Sequence, residues 1–108
     1  MKLWIDDIRP APAGFRWIKR VNSAIDFIET HESLLRHGDV KDPITLISLD
    51  HDAGDYACCG GDYIKVLDWL EATGRNYPIH LHSMNPVGVQ NMRRIIEKNG
   101  WEEVFTLV

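Results

Sequence analysis

The sequence predicts one α/β domain: a mainly parallel sheet of five short strands, covered by helices on both faces to give three layers. Three observations predict it. Short apolar segments alternate with segments whose apolar residues recur at helical spacing. Three of the apolar segments end abruptly in acids or histidines, at Asp6-Asp7, Asp50-His51-Asp52 and His82-Ser83-Met84-Asn85. The length of 108 residues, 44% of them hydrophobic, suits a single core and one domain over residues 1–108.

The elements follow in order. Residues 2–5 form a short buried strand ending at Asp6-Asp7. Pro10, Pro12 and Gly14 make the next segment a loop, because proline lacks an N–H and disfavours helix at the residue before it. Residues 15–21 alternate loosely and predict a half-exposed strand at a sheet edge. Asn22 or Ser23 is expected to cap a helix that runs to about His31, with Ala24, Phe27 and Ile28 on its inner face. Residues 32–43 are polar and least determined, with a turn of helix over 33–36.

Residues 44–49 form the central strand, apolar and rich in isoleucine. Gly60-Gly61-Asp62 is expected to open a helix in which Tyr63, Val66, Leu67 and Leu70 form a stripe, and Gly74 stops it. Residues 78–81 form another strand. Asn85-Pro86 is a cap followed by proline at the first helical position, and Asn99-Gly100 ends that helix. Residues 101–108 are expected to close the sheet as a fifth strand.

The composition excludes several function classes. A net charge of −4 argues against broad nucleic-acid binding, which relies on clustered lysine and arginine. No apolar run approaches the ~20 residues of a membrane span, and two acids interrupt the N-terminus, so neither a membrane partner nor a signal peptide is expected. Cys58 and Cys59 are adjacent and match no zinc pattern, so a reducing, cytoplasmic setting is the expectation.

If the three strand ends are parallel neighbours, their polar residues converge at one edge, where open α/β sheets bind ligands. Two carboxylates ~4 Å apart repel by about 4 kcal/mol at an effective dielectric of 20. Such a cluster calls for a cation, and oxygen-only ligands point to Mg²⁺ or a similar ion such as Mn²⁺. The expected ligands are Asp6, Asp7 and Asp50, with Asp52 contributing through water. His51 and His82, beside Asp50, have the residue type for general base and general acid. Opening a cyclic phosphate needs that pairing, because one group activates water and the other protonates the departing oxygen. Arg9, Ser83 and Asn85 are candidates to hold phosphate oxygens. The partner expected is a small phosphate-containing substrate or nucleotide.

These residues carry a resemblance. Asp6-Asp7, Asp50 and Ser83 resemble the acidic pair, phospho-acceptor aspartate and hydroxyl residue of response-regulator receiver domains. The stretches Leu3–Pro10, Ser48–Asp52, Gly61-Asp62-Tyr63 and His82–Gly88 with Asn91-Met92 are more similar to a divergent branch, the cyclic-phosphate processing receiver-like domain. The resemblance implies a flavodoxin-like fold, and the segment between Asp7 and Phe15, too short and proline-rich for the usual first helix, departs from it by leaving a loop there. It also implies phosphoesterase activity on cyclic nucleotides or cyclic phosphate ends. An ordinary receiver carries a lysine at the end of its last core strand, and residues 101–108 contain none. Two other functions stay open: a signalling module phosphorylated at Asp50, and a non-catalytic domain that senses nucleotides.

Overall fold

The computed structural model describes residues 1–107. It is an α/β fold of receiver type. Strand β1 (Lys2–Ile5) pairs in parallel with β2 (Phe15–Ile18) on one side and β3 (Leu46–Leu49) on the other. Strand β4 (Ile79–Leu81) pairs in parallel with β3, which gives the order β2-β1-β3-β4. Helices α1 (Val21–Arg36), α2 (Ile64–Ala72) and α3 (Pro86–Asn99) follow β2, β3 and β4 respectively. A short 3₁₀ turn spans Gly54–Tyr56.

The three helices pack side by side, with α2 between α1 and α3. Right-handed crossovers that all step in the same direction along a sheet place their helices on one face. Alternate strand residues supply that face: Leu3, Ile5, Ile47, Leu49 and Ile79 are fully buried against Ala24, Ile28, Val66, Leu67, Leu70 and Met92. The opposite face carries Trp4 and Leu46, buried outside this core. No helix joins β1 to β2: the segment is the loop that its prolines and glycine predict, and no helix of the described residues covers this face from there. Trp4 donates its indole N–H to Arg9 O at 2.9 Å and meets the edge of Phe15.

Among the described residues the sheet has four strands, where five were expected. After α3 the chain makes a single parallel bridge, Ile79 with Glu103. Ile79 N donates to Glu102 O at 2.9 Å, and Val104 N donates to Ile79 O at 2.7 Å. The Val104 carbonyl accepts from His80 Nδ1 at 2.7 Å rather than from a strand neighbour, so pairing stops there. The end of the expected fifth strand, Val108, lies outside the described residues.

Two helices differ from their expected bounds for non-local reasons. Helix α1 starts at Val21 without a side-chain cap, because Asn22 N donates to Cys59 O at 3.2 Å. It continues to Arg36 because Glu32 is held by Arg75 and by the hydroxyl of Tyr77. Helix α2 begins at Ile64, since Gly60 and Gly61 have φ of 115° and 91°. Helix α3 matches its sequence signals at both ends: the Asn85 side chain accepts from Gly88 N, and Gly100 closes the helix in the left-handed conformation.

The shared core sets a stability expectation. Leu70 is fully buried where α2 meets the sheet. Leu70→Ala should lower unfolding free energy by about 2–5 kcal/mol, read in urea as a lower midpoint with an unchanged slope.

Candidate functional site

The register of the sheet builds the site. Ile5, Leu49 and Leu81 lie in one row across β1, β3 and β4. The next residues, Asp6, Asp50 and His82, form the row beyond it: Asp50 N donates to Ile5 O and His82 N to Leu49 O. The three motifs therefore converge at the carboxyl edge, as their strand ends predicted.

Asp6, Asp7 and Asp50 form one cluster, in which a ligand oxygen of each lies within 4.8 Å of the others. Asp6 is 1% exposed. Its Oδ1 accepts from Ile8 N at 2.9 Å and Arg9 N at 3.0 Å, and its Oδ2 accepts from His82 at 2.9 Å. Burial pushes the Asp6 carboxyl upward, but these donors outweigh it and hold the group below its ordinary range. Asp7 behaves oppositely: burial, then the neighbouring charges of Asp6 and Asp50, raise it. Its carboxylate packs so closely on Gly54 that a Cβ there would lie 2.3 Å from Oδ2. The same carboxylates add to burial in raising the Tyr63 hydroxyl.

The His82 side chain is 7% exposed. Asp6 can only accept, so Nε2 carries the proton that joins them. In the neutral ring Nδ1 then accepts from the Ser48 hydroxyl at 2.8 Å. Burial lowers His82 below its ordinary value despite Asp6, which fits the neutral ring. The ring stacks on Trp4 with centroids 3.7 Å apart and planes 3° from parallel. Both ring nitrogens are thus engaged within the protein.

His51 stands differently. Its Nδ1 bonds Asp52 Oδ1 at 2.8 Å, which lowers Asp52 through that hydrogen bond. With the proton on Nδ1, Nε2 is left as an acceptor. Asn85 Nδ2 reaches the same Asp52 carboxylate at 3.3 Å, while Asn85 Oδ1 caps α3 on Gly88 N. A Cβ on Gly88 would lie 2.4 Å from the His51 ring. His51, Asp52 and Asp62 form a second group with ligand atoms within 4.8 Å, and Asp62 also accepts from Ala53 N.

The expected phosphate-holding residues are close by but partly engaged. Arg9 donates through Nη1 to His82 O at 2.7 Å. Ser83 Oγ accepts from Asn85 N at 3.1 Å, leaving its hydroxyl proton free to donate. Only α3 begins at this edge with a side-chain cap; the helix expected from Gly60 starts later. Ser48, Trp4, Asp62 and Gly88 lie in the stretches that carry the resemblance, but sequence reasoning gave them no role at the site. Period-two alternation from Asp50 and Asp6 reaches back to Ser48 and Trp4. The other two are brought in only by non-local contacts.

A family model, the cyclic-phosphate processing receiver domain, matches residues 1–98. No curated protein and no solved structure matches.

The acidic cluster predicts opposite pH contributions from adjacent residues. Asp6, lowered, stabilises the fold above its ordinary range, and that stability is lost as pH falls through its folded value. Asp7, raised, contributes stability at lower pH that is lost as pH rises through its folded value. At neutral pH without divalent cations, Asp7→Asn should therefore raise Tm by ~4–8 °C for about 1 kcal/mol of relieved repulsion. Scanning calorimetry in EDTA checks this. Gly88→Ala should displace the His51 ring, seen as a shift of its imidazole NMR signals.

Proposed function

The chain belongs to the cyclic-phosphate processing receiver domain family, and from that premise we propose that it is a metal-assisted phosphoesterase that opens cyclic phosphates. The observation that carries this reading is the placement of His51. It is held at Nδ1 by Asp52 and stands at the same sheet edge as three clustered carboxylates.

The donor set fits a hard divalent cation. Asp6, Asp7 and Asp50 offer only oxygens, and burial, with the charges of Asp6 and Asp50 adding to it, raises the Asp7 carboxyl. Mg²⁺ or Mn²⁺ bound there would polarise a phosphoryl oxygen and offset the charge that grows on it. Asp52 lies outside that cluster, and in this reading its work is to orient His51.

Ring opening adds water to phosphorus, breaks one P–O ester bond and leaves a monoester and a hydroxyl. His51 Nε2 takes the proton from water as the P–O bond to water forms. The departing oxygen, opposite the attacking water, gains its proton from solvent, and His51 releases the proton it took to solvent, which closes the cycle. His82 keeps Asp6 ionised and oriented, as a positioning residue. Ser83 and the unengaged guanidinium donors of Arg9 hold phosphate oxygens, with Asn85 placing Asp52.

One observation favours a second reading. Asp50 ends the central strand beside Asp6 and Asp7, as a phospho-acceptor would in a receiver-type module. Stable modification of Asp50 by acetyl phosphate or a beryllofluoride adduct would support it.

The test is turnover of 2′,3′- and 3′,5′-cyclic nucleotides with and without Mg²⁺ or Mn²⁺. His51→Ala should lower the rate by ~10²–10⁴-fold while the fold persists. Equal turnover by His51→Ala, or none by the folded wild type, would sink the reading.

A further inference from the structure

We infer that the open edge of β2 is a groove for a single-stranded oligonucleotide whose phosphate terminus lies at the acidic site. The position of the terminus rests on the phosphoesterase reading; the groove itself does not. A depression of about 420 Å³ runs along this edge, lined by Arg16, Trp17, Ile18, Lys19, Arg20 and Phe27. Arg16, Lys19 and Arg20 make no ion pair among the described residues, although the chain carries a net charge of −4. In contrast, Arg75 and Arg93 are paired with Glu32 and Glu103.

Each free cation lies over an aromatic ring. Arg16 is 4.9 Å from the Phe27 centroid, Lys19 is 4.5 Å from Trp17, and Arg20 is 4.9 Å from Tyr56. Single strands use cations for phosphates and exposed aromatic faces for bases; Phe27 lies between Arg16 and the stacked His31 ring, so Trp17 is the ring offered to a base here. Trp17 is 37% exposed, and its indole is fixed by a 2.8 Å hydrogen bond to Asp6 O.

The groove leads into the site. Asp6 N donates to Ile18 O, and the Tyr63 hydroxyl donates to Lys19 O. The end of β2 that carries Lys19 and Arg20 therefore abuts the row of Asp6 and Asp50. A mononucleotide in the acidic pocket would meet mostly negative charge, whereas a longer strand also meets this basic border. The groove thus selects oligonucleotide ends over free cyclic mononucleotides. Guarding an edge strand against pairing with another sheet would also use lysine and arginine, and it is the outcome the test must exclude.

The test is fluorescence anisotropy with a labelled short oligouridylate ending in a 3′-phosphate, in Mg²⁺, against uridine 3′-monophosphate as competitor. Wild type should bind the oligonucleotide at least ~10-fold tighter than the mononucleotide. The combined Arg16→Ala, Lys19→Ala and Arg20→Ala variant, folded by circular dichroism, should lose that preference. Its log affinity against log salt slope should fall by about 2, for three phosphate contacts at ~0.7 each. Trp17→Ala should weaken binding ~10-fold and Trp17→Phe much less, at about 1–3 kcal/mol per stacked base. Equal affinity of wild type for both ligands, or wild-type affinity in the triple variant, would overturn the groove and leave edge protection. Groove-dependent binding without opening of a cyclic terminus would uphold the groove and sink the phosphoesterase. Opening of cyclic mononucleotides without a groove-dependent preference would do the reverse.

Discussion

A carboxylate taken out of water must be matched by donors, and much of this structure follows from how Asp6 is matched. Two donors are backbone N–H groups of Ile8 and Arg9, so the chain turns sharply at the end of β1 instead of entering a helix. The third is His82, which arrives from β4 across the intervening end of β3. One side chain thereby ties together β1 and β4, the two strands that flank β3. Removing either partner would leave the other's polar group buried and unmatched, which costs more than the bond itself contributes.

The same pairing separates two kinds of polar group at the sheet edge. Asp6 and His82 are tied inward: the first is held ionised and the second neutral, with both His82 ring nitrogens engaged inside the protein, while the Asp6 carboxylate still belongs to the cluster with Asp7 and Asp50. Asp7, Asp50 and His51 remain accessible, and their arrangement creates electrostatic demand. Asp6 is lowered by its three donors, whereas Asp7, adjacent in sequence, is raised by burial and then by the charges of Asp6 and Asp50. A cation, a proton or an approaching positive group would each relieve that demand. The proposed chemistry draws on it, and the interior pair supplies its rigidity.

Replacing a helix by a loop between β1 and β2 has a further consequence. The second face of the sheet is covered by Trp4, Phe15 and the proline-rich turn, and a groove of about 460 Å³ remains beside Lys2, Leu46 and Val104. Strand β2, brought next to β1 by that short loop, carries its unpaired cations to the border of the acidic pocket. A protein that is acidic overall therefore presents opposite charges side by side within a few residues of Asp6.

The sequence by itself determined the α/β class, four of the strands, three helices and the convergence of Asp6, Asp7, Asp50, His51 and His82 on one edge. These are local properties: apolar runs, helical spacing, the Asn85-Pro86 start and the Gly100 stop each act within a few residues. The tertiary structure decided what depends on distant partners. The fifth strand is reduced to one bridge because His80 takes the carbonyl that would have continued it. Helix α1 is capped by Cys59 and lengthened by Arg75 and Tyr77, none of them near it in the chain. Above all, the two histidines read alike in sequence, since each follows a strand beside acids. Only three-dimensional packing distinguishes them, because it places Ser48, Asp6 and Trp4 around one ring and leaves Nε2 of the other without a partner among the described residues.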